Sequence, residues 1–216
     1  MALYGDWNKV HRNLRTLEAR LHRKLNRVVG ISARELAKYW KEGIKEKSFG
    51  LQKNADLTIE AKQSSTPLVD HGDLIGSIKP KKMKIEGNLW FVGILKNAKT
   101  KDGKSLADIA SVMEYGSDGK ITPKEATYLA IPLTRKASRA GSPRNYPGHL
   151  IFLRNPNTMG AVFVDFESEE VQYILLEWVE IPPRPSRKKA LKGYARKYRA
   201  NMKQAIKEEL RGGPHV

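Results

Sequence analysis

The sequence predicts an α+β fold with N-terminal helices, a mainly antiparallel sheet of about five strands, and a long C-terminal helix packed on one face. Apolar residues recur every three or four positions at both ends of the chain, and short apolar runs separated by turn residues fill its middle. We divide the chain into an N-terminal helical region (1–66), an α+β core with a long insertion loop (67–185), and a C-terminal basic helix and tail (186–216).

The N-terminal region contains an apolar stripe with the period of a helix. Its members follow one another at spacings of three or four residues: Val10, Leu14, Leu17, Leu21, Leu25 and Val28. Gly30 then interrupts the stripe, and Ser32 followed by Glu35 is typical of a capping box, which predicts a second helix over about 33–47. The same residues also fit one long bent helix, and the pattern leaves both arrangements open.

Strand signals dominate the middle of the chain. The clearest predicted strand covers 89–95, and the others cover 75–86, 127–133, 150–153, 161–166 and 172–179. A short helix is predicted over 106–115. Residues 135–148 are basic and rich in turn residues, which predicts a mobile loop. The last helix is predicted over 186–211, after the stiff proline-rich connector 181–185.

Composition excludes several classes of protein and favours anionic partners. The 216 residues include 40 Lys and Arg against 23 Asp and Glu, a formal net charge of +17, and no cysteine. The lack of cysteine excludes disulfides, zinc–cysteine sites and cysteine nucleophiles. No apolar run is long enough to span a membrane, and the first residues lack the apolar segment of a signal peptide. The excess of cations favours nucleic acid as a neighbour, with an acidic protein as the second possibility.

The sequence offers few candidates for catalysis. In the segment 70–73, two carboxylates flank His71, but the pattern also fits a turn in which Gly72 adopts a positive φ, and we favour the turn. Asp165 and Glu167 share one face of a predicted strand, as the acidic pair of a nuclease would. No lysine follows at a matching spacing, so we expect a solvated sheet face or an acidic patch. We therefore expect no enzymatic activity, no cofactor and no metal.

Three separated segments together resemble a known family. Segment 67–78 reads PLVDHGDLIGSI, segment 110–116 reads ASVMEYG and is followed at 121–134 by ITPKEATYLAIPLT, and segment 181–185 reads IPPRP. In this order they are similar to signatures of the phage virion-morphogenesis proteins, the Mu-type tail-completion or head–tail joining group. His71 stands where that signature has Thr or Ser, and the stretch 135–180 is a long insertion.

The resemblance implies a non-enzymatic structural protein of the phage neck, which completes the tail or connects it to the portal-connector complex. Such a protein would form a homo-oligomeric ring around the DNA channel, six-fold because tails are six-fold. Its partners would be the connector or adaptor and the tail terminator or tail tube, with genomic DNA passing nearby. It would reside in the virion, and in the host cytoplasm during assembly. The alternative is a non-sequence-specific nucleic-acid-binding protein.

Two sets of residues are candidates for contacts. Subunit or partner contacts are expected at Leu74, Ile78, Glu114, Tyr115 and Arg184. Leu74 and Ile78 are also expected to be buried after a turn at Gly72, and Arg184 suits either a subunit contact or a local helix-cap salt bridge. Eight cations of the C-terminal helix are expected to face DNA or an acidic partner: Arg187, Lys188, Lys189, Lys192, Arg196, Lys197, Arg199 and Lys203.

Overall fold

The structure is a computed structural model. It describes residues 7–54, 59, 66, 68, 72–84, 88–101, 103–154 and 160–211, with the side chains of residues 9, 10 and 13 excepted. The fold is α+β, as predicted: a long N-terminal helix, two antiparallel sheets of two and four strands, and a C-terminal helix.

Helix α1 (Trp7–Lys45) runs through 39 residues, so the predicted break at Gly30 is wrong. Glycine is needed there for close packing, because a Cβ on Gly30 would lie 2.9 Å from the Trp90 ring. Ser32 lies buried inside the helix and caps nothing. Of the two arrangements that the pattern allowed, the single helix is the one formed, because the apolar face continues through Ala33, Ala37 and Ile44.

The first sheet follows a short helix and packs against α1. Helix α2 (Asp73–Ser77) leads directly into strand β1 (Ile78–Lys82), which pairs antiparallel with β2 (Trp90–Ile94). The strand predicted from residue 75 therefore begins three residues later, because the chain is still helical to Ser77. Helix α3 (Leu106–Tyr115) has the bounds that the sequence predicts, and the Ser105 side chain accepts a hydrogen bond from the Asp108 amide at its start.

The second sheet has four strands in the order β3-β6-β5-β4, each antiparallel to its neighbours. Its strands are β3 (Leu129–Pro132), β4 (Leu150–Arg154), β5 (Gly160–Asp165) and β6 (Val171–Leu176). The single sheet of about five strands is thus replaced by two sheets with six strands among the described residues. The strands of one sheet do not pair with those of the other.

The prediction of a mobile loop over 135–148 is wrong. This stretch contains helix α4 (Arg135–Ala140) and a 3₁₀ turn (Pro143–Asn145), and it covers one face of the second sheet. Ala137 and Tyr146 are buried against Tyr173, whose hydroxyl donates a hydrogen bond to the Ala137 carbonyl at 3.0 Å. The turn residues at 141–143 end and restart short helices within this packed segment.

Helix α5 (Ser186–Leu210) lies antiparallel to α1 and completes the helical layer. The Trp40 indole donates a hydrogen bond to the Ser186 hydroxyl at 3.0 Å at one end, and Arg20 pairs with Glu209 at 2.9 Å at the other. Ala190 of α5 joins the core formed by α1 and the first sheet. The helical layer therefore packs on the two-stranded sheet, and the four-stranded sheet has its own core.

Candidate functional site

The last turn of α3 caps the first turn of α5. One carboxylate oxygen of Glu114 accepts a hydrogen bond from the Arg187 amide at 2.8 Å, and the other accepts from the Lys188 amide at 2.9 Å. The first amides of a helix lack partners within the helix and carry partial positive charge, so a carboxylate is well suited to them. Pro185, the residue before α5, has no side-chain oxygen that could accept a hydrogen bond from these amides. Glu114 therefore connects two helices that are remote in sequence.

The residues that follow Glu114 hold the proline-rich connector. Gly116 has φ +81°, and a Cβ there would lie 2.8 Å from the Ile181 carbonyl oxygen. The Ser117 amide donates to that carbonyl at 2.9 Å, and the Ile181 amide donates to the Ser117 hydroxyl at 3.0 Å. Two of the segments that carry the family resemblance, 110–116 and 181–185, are thus in direct backbone contact.

Arg184 is buried in the same junction. Its backbone amide donates to the Met113 carbonyl at 2.7 Å, and its guanidinium donates to the carbonyls of Gln52 and Lys53. Burial lowers the pKa of Arg184. Arg184 forms no helix-cap salt bridge with any described residue; its burial directs the side chain into this junction, where it holds the segment after α1 against the connector.

A cavity of about 210 Å³ lies where α1, α2, β2, α3 and α5 meet. Four of the five predicted contact residues line it together: Leu74, Ile78, Glu114 and Tyr115. Ile78 is 1% exposed, as predicted, whereas Leu74 is half-buried, and the predicted turn at Gly72 is confirmed by its φ of +83°. Asp70 and His71 lie outside the described residues.

Burial divides the predicted contact residues into two groups. Ile78 and Glu114 are buried within the protein, so, like Arg184, they are framework residues, and their expected role as surface contacts is wrong. Tyr115 is 67% exposed at the cavity and accepts a hydrogen bond from the Arg187 guanidinium. Tyr115 is therefore the most exposed of the five predicted contact residues and the one that a partner can reach most easily.

Three of the eight cations predicted to face a partner are engaged within the chain. The Lys189 ammonium donates to the carbonyls of Phe49 and Gly50, at 2.6 and 3.0 Å. Lys197 pairs with Glu35 at 3.2 Å, and Arg187 binds Tyr115. Lys189 and Lys197 thus stabilise the packing of α5; Lys189 is half-buried there, whereas Lys197 remains exposed as predicted.

The other five cations lie on one exposed face of α5, together with Lys207. We call this set the α5 cationic stripe: Lys188, Lys192, Arg196, Arg199, Lys203 and Lys207. Successive spacings of four, four, three, four and four residues keep all six within an arc of about 100° over a length of about 28 Å. The buried residues of α5, including Ala190, Tyr194 and Ala205, lie on the opposite face. Lys207 is not among the eight predicted cations, although the same spacing identifies it.

Acidic side chains between the two long helices are neutralised by partners. Glu35 accepts a hydrogen bond from the Tyr194 hydroxyl at 2.7 Å, and this bond together with Lys197 lowers the pKa of Glu35. Burial and the same carboxylate raise the pKa of Tyr194 to about 12. Glu208 pairs with Lys24 at 3.0 Å. Both carboxylates pair across the interface between α1 and α5, so the outer face of α5 stays cationic.

Comparison of the chain with protein-family models, curated proteins and solved structures gives no match. Among the described residues, no three side chains of His, Asp or Glu are grouped as a metal site would require. No helix in the described part of the chain combines the length and the apolarity needed to cross a membrane.

Asp165 lies in the interior of the second sheet unit, which corrects its predicted place on a solvated or acidic surface. It is 1% exposed, and its carboxylate accepts hydrogen bonds from the Lys136 ammonium at 2.8 Å and the Tyr146 hydroxyl at 2.6 Å. It also accepts from the amides of Glu167 and Ser168. Glu167 is exposed in the turn after β5, so the two carboxylates form no pair. Asp165 serves to join α4, the 3₁₀ segment and β5.

Replacing Asp165 with asparagine is expected to lower the free energy of unfolding at neutral pH. In acid, the free energy of unfolding of the variant should depend less on pH than that of the unsubstituted protein. Lys136 and Tyr146 hold the pKa of Asp165 well below its usual range. Because the folded pKa is lowered, the charged carboxylate stabilises the fold above its unfolded pKa of about 3.9, and this contribution is lost as the pH falls through the folded pKa. Urea denaturation of both proteins between neutral pH and about pH 2.5 measures the difference.

Glu167→Gln, which changes an exposed carboxylate in the same turn, is the matched control. We expect the difference in denaturation midpoint between Asp165→Asn and the unsubstituted protein to narrow below about pH 4, while Glu167→Gln stays close to the unsubstituted protein. A constant difference across the whole range would contradict the assigned role of the Asp165 charge.

Proposed function

We propose that the chain is a structural protein of the phage neck, which completes the tail or joins it to the portal-connector complex. It would act as a homo-oligomeric ring, six-fold like the tail, around the DNA channel. Its contacts would be with connector or adaptor proteins and with tail terminator or tail tube proteins. Its location would be the virion, preceded by the host cytoplasm during assembly.

One observation carries this proposal: the segments that resemble the virion-morphogenesis signatures meet in three dimensions. Helix α2, from segment 67–78, packs on α3, and α3 ends in the Glu114–Gly116 motif that holds the connector 181–185. The remaining segment, 121–134, forms β3 and bridges back to the connector region through Ile121 and Val179. Motifs that serve one shared junction are expected of a common fold, whereas chance matches would be scattered.

Surface charge supports the same proposal. The α5 cationic stripe and the exposed cations of α1, such as Arg23 and Arg27, give the helical layer two basic faces. A protein that surrounds a DNA channel encounters a dense array of phosphates, and a basic surface reduces the repulsion between that DNA and its container. Acidic surfaces of neighbouring neck proteins would bind the same faces.

Disruption of the reading frame in the phage that encodes it tests the proposal. We expect DNA-filled heads and separate tails in the lysate, and we expect purified protein to restore infectious particles. Tyr115→Ala should complement poorly because Tyr115 is the exposed contact at the cavity, while Val112→Ala, exposed on the same helix, should complement normally. Intact virions formed without the chain, or virions that contain none of it, would refute the neck assignment.

The α5 cationic stripe favours a second candidate function, non-sequence-specific binding of nucleic acid. Six cations on one helical face can contact a series of phosphates without reading base edges. This function would account for the α5 cationic stripe without any role in a virion.

A further inference from the structure

One face of the four-stranded sheet carries eight aliphatic side chains. Residues that are directly opposite in an antiparallel pair share a face, so the strand registers define this surface, with one register shift between β5 and β6 after Phe163. Leu129 and Ile131 of β3 lie opposite Leu176 and Ile174 of β6. The same face continues across β5 and β4. We call the whole set the aliphatic face: Leu129, Ile131, Ile151, Leu153, Val162, Val164, Ile174 and Leu176.

The sheet has only one covered face among the described residues. Helix α4 and Tyr146 pack on the opposite face, against Ala161, Tyr173 and Leu175. None of the eight residues of the aliphatic face belongs to either core cluster of the described structure. Seven of them are half-buried by their neighbours in the sheet, and Leu153 is 49% exposed. An antiparallel sheet that leaves one face open to water normally alternates polar residues onto that face, and none of these eight residues is polar.

The aliphatic face is as large as the largest apolar patch of many monomeric proteins. Four strands at about 4.8 Å and about five residues at about 3.3 Å give a footprint of roughly 300 Å². Apolar patches of this size are often functional. Exposed apolar side chains continue beyond the footprint at Ile121 and Trp178, which lie near the end of β6. Together these residues supply the apolar centre of an interface of about 800 Å² per partner.

We infer that a second copy of this chain packs on the aliphatic face, sheet against sheet, so that the free protein is a two-fold dimer. Two pleated sheets stack about 10 Å apart with their side chains interdigitated, and two copies bring faces of equal extent and equal chemistry. One association then covers both apolar faces. This inference goes beyond the proposed neck function, because it concerns the protein before any assembly.

The lack of charge on the aliphatic face allows a second copy to pack there in spite of the net charge. The chain carries a net charge of +17, and both long helices expose cations, so most approaches between two copies are repulsive. The aliphatic face carries no charged side chain, so it is the place where two copies meet without bringing cations into contact. An acidic partner that is attracted by the net charge would find no cation to bind on this face.

Sedimentation of the purified protein over about 1–100 μM in both low and high salt tests the inference. We expect a species of twice the 24.4 kDa chain mass, and we expect salt to strengthen the association because it screens the repulsion between the two basic copies. A monomer at every concentration and salt would overturn the inference, as would association that weakens when salt is added.

Leu153→Lys and Phe152→Lys form a matched pair of variants. The two residues are neighbours on β4 with exposures of 49% and 48%, but Leu153 points to the aliphatic face and Phe152 to the face covered by α4. Each variant adds one positive charge, so repulsion between copies increases equally. Leu153→Lys should raise the dissociation constant by roughly 100-fold, because the change occurs twice in a two-fold dimer, and Phe152→Lys should leave it within a few-fold.

Two further measurements keep this test decisive. Thermal denaturation of both variants identifies any that fail to fold, and such a variant is replaced by the milder Leu153→Ser or Phe152→Ser. Because the chain has no cysteine, Leu153→Cys introduces a single thiol, and a spin label attached to it reports the distance between two copies. Equal dimerisation of both variants, or no dipolar coupling between labels, would refute the sheet-to-sheet arrangement. Neither result bears on the neck function, which virion assembly tests separately.

Discussion

Replacing Gly116 with alanine is expected to destabilise the protein by about 2–4 kcal/mol, the largest effect on stability of any single change considered. Gly116 has φ +81° and ψ −176°, a conformation that is essentially restricted to glycine and costs other residues about 1–3 kcal/mol. The added methyl group would also lie 2.8 Å from the Ile181 carbonyl and 3.1 Å from the Pro183 ring. Both obstacles are backbone or ring atoms, so relief requires α3 and the connector to separate.

Gly119→Ala provides the control for this prediction. Gly119 has φ +79°, close to the φ of Gly116, but no atom lies within 4 Å of the position that a Cβ would take. Its substitution should cost only about 1 kcal/mol, the penalty of the backbone conformation alone. Guanidinium denaturation of both variants measures the difference. Equal losses would show that the contact between Gly116 and the connector contributes nothing beyond backbone conformation.

Reversing four charges of the α5 cationic stripe is expected to lower duplex DNA affinity by at least about 100-fold at roughly 0.1 M salt. The change is Lys192, Arg196, Arg199 and Lys203 to glutamate, all exposed and on one helical face. If six stripe cations contact phosphates, the log–log dependence of affinity on salt should have a slope of roughly −5, and the variant's slope should be near −2. Fluorescence anisotropy with duplexes of unrelated sequence measures both quantities, and affinity should be independent of sequence.

The matched control reverses four exposed lysines elsewhere: Lys96, Lys99, Lys101 and Lys104, in the loop between β2 and α3. Both variants reduce the net charge equally, so a loss confined to the stripe variant indicates local contact with phosphates. Equal losses would show that only total charge matters and would remove the stripe from the binding surface. Normal DNA binding by the stripe variant, together with heads and tails that fail to join, would assign the stripe to an acidic neck partner.

Elements that depend on local signals were predictable from the sequence. Helix α3 has its predicted bounds because Ser105 caps it and Gly116 ends it, and both signals are local. Gly72 has the predicted positive φ for the same reason. Gly30 and Ser32 resemble a helix boundary when only their neighbours along the chain are considered. In the structure, Gly30 is small because Trp90 packs against it, and Ser32 is buried inside a continuous helix.

The candidate site was less predictable because its residues act through distant contacts. Glu114 and Arg184 were selected from the sequence, but their partners, the amides at the start of α5 and the carbonyls of Gln52 and Lys53, are far away along the chain. Asp165 was placed on the surface because no pattern in its own segment indicates the Lys136 and Tyr146 groups that surround it. The stripe on α5, in contrast, follows from spacing alone, and Lys207 completes it.

The hydrogen bonds between Ser117 and Ile181 make the four-stranded sheet unit a topological insertion. The chain leaves the helical layer at Ser117 and returns at Ile181, and the two backbones are in contact at that point. Residues 118–180 thus form a closed excursion with both ends at one place, as in domains that are inserted into the loop of another. Because both ends of the excursion meet at one point, its length and sequence are free to vary without moving the two backbones that join it to α3 and to the connector. The four-stranded sheet unit is thus open to evolution as a module of its own.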